Sequence, residues 1–233
     1  MSNNAAARRR PTHRKGRPTL TRESVGQAAL NFLDHHPAAE LTMRSLAADL
    51  GVSPRALYNY VEDRRDLLTV AAELFESEWQ APALEPGLWR DSLRAYCRDL
   101  RAHYRRHPGM TTLALTENIT MARHPTMLRN VDALIGFFES AGLSLADAYR
   151  ACMETIRFVV GFVELQDSLY DRPPAHLEPA DLEQLPPRWL RSETEGELPN
   201  LKRVSALEPD SPDTLFEFSM DIYVEGIAAR RQA

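Results

Sequence analysis

The sequence predicts an all-α protein, with a three-helix head and a larger helical body. Residues 41–61 read as two short helices joined by a tight glycine turn, a helix-turn-helix. Every other segment that can be delimited places its apolar residues at i, i+3 and i+4 between capping residues and Gly or Pro stops. No stretch alternates apolar and polar residues as a half-buried strand would, and there is no internal repeat.

The head starts after a basic arm, residues 1–20, expected to be disordered. Residues before Glu23 hold Arg8, Arg9, Arg10, Arg14, Lys15, Arg17 and Arg22 and no acid. Thr21 caps a helix that runs to about Asp34, with Val25, Ala28, Ala29, Phe32 and Leu33 at core spacing. Thr42 caps the first motif helix, whose Leu46, Ala47 and Leu50 share one face, and Gly51 supplies the left-handed residue that ends it. Ser53 caps the second helix, which opens on Pro54, where a missing N–H is harmless. Leu57 and Val61, with Val52, pack against the first motif helix, which leaves Arg55, Ala56, Tyr58, Asn59 and Tyr60 facing outward. Asp63 caps a connector helix with Leu67, Val70, Ala71, Leu74 and Phe75 inward, ending near Pro82.

In the body, residues 88–106 carry Leu93, Tyr96, Cys97, Leu100 and Tyr104 in register and stop at Pro108; a short segment spans 108–115. Residues 127–141 carry Leu128, Val131, Leu134, Ile135 and Phe138. Gly142 then punctuates the chain, and Ser144 caps a helix reaching about residue 169 through Phe158 and Phe162. Half of the prolines fall in 171–212, a loop expected to be either disordered or functional and anchored by Leu182, Leu185, Trp189 and Leu190. A last helix, with Ser211 as cap and Pro212 in its first turn, presents Leu215, Phe216, Met220, Tyr223 and Ile227, an apolar stripe wide enough to imply a partner. The expected organisation is a basic arm (1–20), a helix-turn-helix domain (21–66) and a body (67–233) that contains the proline-rich loop 171–211.

The chain has 233 residues, 43% apolar, enough for one small and one ordinary domain. Its net charge of −5 divides unevenly: residues 1–70 carry +4 and the remainder −9, a basic head on an acidic body. A helical hairpin alone specifies packing and says nothing about a groove, but a basic arm directly before it favours double-stranded DNA as partner. The longest apolar run, Phe158 to Val163, is far too short to span a membrane, and the polar start lacks a secretory apolar region, so a cytoplasmic, nucleoid-associated protein is expected. Cys97 and Cys152 match no metal or disulfide spacing and are expected as buried reduced thiols. His103 and His107 stand at i,i+4, but Arg105 and Arg106 between them oppose a divalent ion; no metal or cofactor is expected. No Gly-rich phosphate loop, paired catalytic carboxylates or nucleophile–base set is identifiable, so an enzyme is the weaker alternative. An effector-independent architectural DNA-binding protein is the other, and it requires a body without a cavity.

The pattern Leu-Ala-x-x-Leu-Gly-Val-Ser, then Leu-Tyr-x-Tyr-Val and Arg65-Asp66-Leu67-Leu68, resembles the TetR family of bacterial transcriptional repressors. The body, with Trp89-Arg90-Asp91-Ser92-Leu93, Arg105-Arg106-His107-Pro108 and Ala141-Gly142-Leu143-Ser144, is similar to the C-terminal domain of the tetracycline-repressor branch, so the likeness spans nearly the whole chain. The resemblance implies a ligand-responsive homodimer on a palindromic operator, joined through a four-helix bundle of residues 144–169 and 211–229 from each subunit.

Carried over residue by residue, Arg44 matches a position that reaches a base edge and Thr42 one that meets phosphate. Pro54, Arg55, Ala56 and Asn59 match base-proximal positions, with Ser53 grouped beside them. Tyr58 and Tyr60 match backbone-holding positions, and Arg64 a phosphate clamp. Arg55-Ala56 departs from the tetracycline repressors' own recognition residues, so a different operator is implied. The implied effector pocket in the body has Trp79, His103, Glu117, Asn118, Met121, Phe137, Phe158, Phe162 and Gln166 as candidate lining residues. The magnesium ligands that hold tetracycline in that branch are not all placed here, so the expected effector is another small hydrophobic or aromatic molecule.

Overall fold

A computed structural model describes residues 20–116, 125–177, 179–182 and 198–231, and all regular elements among them are helical. Helix α1 (Arg22–Leu33) opens on a capping box: Thr21 Oγ1 accepts from the Ser24 N–H at 3.0 Å while the Thr21 N–H donates to Ser24 Oγ at 2.8 Å. Its buried face is Val25, Gly26, Ala29, Leu30 and Leu33. Ala28 and Phe32, expected in the core, are half-buried, because α1 crosses α4 (Arg64–Glu78) over Gly26. A Cβ on Gly26 would stand 2.3 Å from Val70 Cγ1, so only glycine allows that approach.

Helix α2 (Met43–Asp49) repeats the capping box with Thr42 and Ser45. It ends in a Schellman turn: Gly51 has φ 61°, its N–H donates to Ala48 O at 3.1 Å, and the Val52 N–H donates to Ala47 O at 2.9 Å. Helix α3 (Pro54–Leu57) is a single turn. Ser53 occupies its cap position but makes no side-chain capping bond, which corrects the expectation drawn from its type; in this single turn the Ala56 N–H, which a cap would satisfy, donates to the Ser53 carbonyl at 2.9 Å instead. Leu57 and Val61 are buried and Val52 half-buried, as their spacing requires.

Asp63 Oδ1 caps α4 by accepting from the Asp66 N–H at 2.8 Å. Arg22 grips Asp66 with two bonds of 2.8 and 2.5 Å and donates to Tyr60 O at 2.9 Å. It therefore belongs to the folded head and not to a free basic arm, because the Asp66 carboxylate at the start of α4 holds it there.

The body contains α5 (Trp89–Arg106), α6 (Gly109–Thr116), α7 (Pro125–Ser140) and α8 (Leu145–Phe162). Helix α8 is capped by Ser144 and continues through a π-helical turn (Val163–Asp167) into α9 (Ser168–Asp171). The wider turn carries Asp167 into the interior, where Arg101 Nε and Nη2 donate to its two oxygens at 2.8 and 2.6 Å and neither side chain is appreciably exposed. Two short helices, α10 (Pro179–Leu182) and α11 (Pro199–Val204), interrupt the proline-rich stretch; Leu185, Trp189 and Leu190 lie outside the described residues.

Helix α12 (Pro212–Ala228) starts with Ser211 Oγ accepting from the Thr214 N–H and runs antiparallel to α5 along an ionic ladder. Arg90–Glu225, Arg94–Asp221 and Arg98–Glu217 each close at 2.6 Å, followed by Arg101–Asp213 at 2.9 Å. The spacing of these arginines along α5 matches that of the acids along α12 in reverse order, so the two sequences fix the register of the pair.

Head and body share one continuous apolar core. His107 Nδ1 lies 2.8 Å from Asp34 in the head and its Nε2 3.4 Å from Glu78 at the end of α4. Beside it, a Cβ on Gly109 would come within 2.5 Å of Leu33 O, so the end of α1 rests directly on the start of α6. No helix among the described residues is long and apolar enough to cross a membrane.

Candidate nucleic-acid interface and ligand cavity

The hairpin α2–α3 presents Thr42, Arg44, Ser53, Pro54, Arg55, Tyr58 and Asn59 on its exposed surface, with Ala56 and Tyr60 half-buried. Three of these have structural duties as well. The Thr42 hydroxyl accepts from the Ser45 N–H at 3.0 Å, Asn59 Nδ2 donates to Ala56 O at 3.3 Å, and the Tyr60 ring packs on the core. Arg44 and Arg55 form no ion pair among the described residues, so their guanidinium groups are available for base edges or phosphates.

Arg64 is placed differently. Its Nε donates to Leu41 O and its Nη2 to Ala38 O, both at 2.6 Å, so this side chain ties the start of α4 to the turn before α2. That arrangement positions the hairpin on the connector helix, a role the sequence did not disclose.

Inside the body a small cavity of about 20 Å³ lies between α4, α5, α7 and α8. Phe75, Glu76 and Trp79 come from α4 and its end, Tyr96, Leu100, His103 and Tyr104 from α5, and Met127, Asn130, Val131 and Ile156 from the other two. That volume is room for about one water, so a larger molecule enters only as the surrounding helices move. The walls are aromatic: His103 stacks on Phe75 with centroids 4.1 Å apart, Tyr104 meets Phe75 edge-on at 5.0 Å, and Trp79 meets Tyr96 edge-on at 5.4 Å. The indole N–H of Trp79 donates to Asp99 at 2.6 Å, which fixes that ring.

Three buried polar atoms of residues lining this cavity have no hydrogen-bond partner among the described residues: Glu76 Oε1, His103 Nδ1 and Asn130 Nδ2. Burial pushes the Glu76 carboxyl up to about 7, since a charge there gives up its hydration with nothing in exchange. Burial also pulls His103 down to about 4, with further lowering from His107 and Arg106, so its ring is neutral near neutral pH. His103 Nε2 lies 3.1 Å from Phe75 O, and a carbonyl only accepts; the ring hydrogen therefore sits on Nε2 and Nδ1 presents a lone pair to the cavity.

Of the candidate lining residues, Trp79 and His103 meet at this cavity. Glu117, Asn118 and Met121 lie outside the described residues. Phe137 is buried beside Phe138 and is not part of the lining. Phe158, Phe162 and Gln166 are brought elsewhere, to an open groove between α8 and α12. There Phe158 stacks on Phe216 at 5.3 Å and on Tyr223 at 5.5 Å. On α8 it is Ile156 that faces the cavity while Phe158 and Phe162 face α12, and periodicity alone does not say which neighbour each face of a helix meets.

Glu76 was missed, although a signal existed: it falls in helical register with Leu68, Ala72 and Trp79, a lone acid in an apolar stripe. Cys97 and Cys152 are both free and buried, and burial raises their thiols to about 12 and about 11, which leaves them poor nucleophiles.

A family model described as the C-terminal domain of tetracyclin repressor-like proteins matches residues 81–231. The chain is 31% identical over 159 residues to the HTH-type transcriptional repressor DrrR1 of Streptomyces coeruleorubidus, a match covering 68% of this chain but only 57% of DrrR1. It is 28% identical over 228 residues to the class A tetracycline repressor protein from transposon 1721 of Escherichia coli, covering 91% of this chain and 92% of that one. Among solved structures, the Streptomyces coelicolor TetR family protein ActR in complex with actinorhodin superimposes with a TM-score of 0.71 at 25% identity, covering 91% of this chain and 98% of ActR. With its helix-turn-helix head, all-helical body and this agreement over most of its length, the chain belongs to the TetR family of transcriptional regulators.

Proposed function

We propose that this regulator is a ligand-responsive repressor, a homodimer whose two hairpins occupy a palindromic operator and release it when a small effector enters the cavity beneath α4. The observation that carries the reading is the span of that one helix. The start of α4 holds the hairpin through Arg22–Asp66 and through Arg64 on Ala38 and Leu41, and its other end supplies Phe75, Glu76 and Trp79 to the cavity. A molecule that widens the cavity displaces the helix on which the reading head is mounted, and it shifts the population by the difference in its affinity for the two positions.

Arg44, Arg55 and Asn59 read base edges in this proposal, with Thr42, Ser53, Pro54, Ala56, Tyr58 and Tyr60 as the surrounding contact surface. Dimerisation through α8 and α12 is supported by the apolar side chains these segments leave in solvent: Tyr149, Leu165, Phe218 and Ile222 are 55%, 77%, 66% and 62% exposed. A protein of this kind works on the nucleoid.

The test is selection of genomic DNA by the purified protein, followed by electrophoretic shift of the enriched site against a panel of small molecules. A two-fold symmetric site released by one compound supports the proposal. Salt-sensitive binding without sequence enrichment overturns it in favour of an architectural role.

A further inference from the structure

Resting on the reading of the body cavity as the effector site, we propose that the effector is an organic cation, an aromatic or arylalkyl ammonium ion seated among the Phe75, Trp79 and Tyr96 rings with its N–H donors on Glu76 and His103. The chemistry follows from what the cavity offers and what it lacks. Glu76 is 4% exposed and His103 1%, and each turns one unpartnered acceptor atom toward the cavity. No lysine or arginine is among the described lining residues, so none of these neutralises the carboxylate.

A buried carboxylate without a partner is among the most unfavourable groups a core can hold, and a ligand that brings the missing positive charge recovers that loss. The ring faces act in the same direction, because the quadrupole of an aromatic face attracts a desolvated cation and is indifferent to a neutral ring of the same shape. An anionic ligand meets Glu76 as a like charge and is rejected. Asn130 Nδ2 adds a single donor, so an oxygen acceptor elsewhere on the ligand has a place as well.

The experiment uses the purified full chain without DNA and three matched bicyclic probes in titration calorimetry: naphthylmethylammonium, naphthylmethanol and naphthoate. The cation is expected to bind about tenfold or more tighter than the alcohol, since a desolvated cation–ring contact and an ion pair each contribute that order of preference, and the anion is expected not to bind. The preference grows from about pH 6 to about pH 8 as Glu76 ionises, and in Glu76→Gln it falls by about tenfold, to the cation–ring contribution alone, and no longer changes over this pH range.

Equal or tighter binding of the alcohol or the naphthoate by the wild type overturns the cation proposal, as does a preference as large in Glu76→Gln as in the wild type. Ile156→Trp, which fills the cavity, tests the site separately from the charge. If it abolishes binding of every probe the wild type binds while Glu76→Gln leaves the margin between cation and alcohol undiminished, the cavity reading stands and the cation proposal falls. If Ile156→Trp changes no binding, both fall.

Discussion

Replacing Glu76 by Gln alters how stability depends on pH, in an amount that the cavity fixes. A carboxyl whose folded pKa is raised favours the folded state while protonated, and that advantage is lost as pH rises from the unfolded value toward the folded one. With Glu76 moved from 4.5 to about 7, linkage gives a destabilisation of about 1 kcal/mol at about pH 5.5, growing to about 3 kcal/mol at about pH 8.5. His103 acts in the opposite sense. Its folded pKa is depressed from 6.5 to about 4, so it destabilises by about 1 kcal/mol at about pH 5.5 and by nothing at about pH 8.5.

The two terms oppose each other in the wild type, whose stability is expected to change little across this window. Glu76→Gln keeps the histidine term alone and gains about 1 kcal/mol, so the gap between the two proteins widens by about 2 kcal/mol. In a chain of this size that is roughly 4–8 °C in Tm, read from thermal unfolding of both proteins at equal concentration in matched buffers. A gap that does not change with pH would refute the reasoning, because it would mean that the Glu76 carboxylate is solvated or paired and that the cavity is not the low-dielectric site described.

Removing Arg101 leaves the buried Asp167 with only Arg105 near it among the described residues, 3.8 Å away and without the two short bonds, so Arg101→Met is expected to lose roughly 3 kcal/mol in chemical denaturation, largely recovered by adding Asp167→Leu; no recovery would show that the pair is not the cause. Gly26→Val drives a side chain into Val70 at the α1–α4 crossing and is expected to lose at least about 1–3 kcal/mol, with a folded variant of unchanged Tm as the contrary result. Arg44→Ala weakens binding to the selected operator by about 1–3 kcal/mol and relaxes preference at one position of each half-site; unchanged preference would remove Arg44 from the base-reading set. Arg64→Ala, by contrast, lowers the melting temperature of the DNA-free protein, because it releases the Ala38 and Leu41 carbonyls; a loss of DNA affinity with no change in melting would restore it to a phosphate contact. Glu217→Gln on the exposed α5–α12 ladder changes stability by about 0–1 kcal/mol and less at high salt.

The sequence by itself determined the helices and their ends, because those signals are local. The capping boxes at Thr21–Ser24 and Thr42–Ser45, the left-handed Gly51 and the caps Asp63, Ser144 and Ser211 each act within one turn of chain, and the structure places a helix boundary at every one. Of the hairpin residues expected to face outward, Arg55, Tyr58 and Asn59 are exposed, since a short amphipathic helix has one outward face, whereas Ala56 and Tyr60 are half-buried because the core reaches past that helix. Tertiary structure decided everything that depends on which surfaces meet. It turned Phe158, Phe162 and Gln166 toward the α8–α12 groove and admitted the π-turn that buries Asp167. It also converted Arg22 and Arg64 from free cations into struts, and brought Glu76, His103 and Asn130 from three helices to one cavity. Helical periodicity states that a residue is inward or outward on its own helix. It carries no information about the residue opposite, and the chemistry of a cavity is set by that opposition.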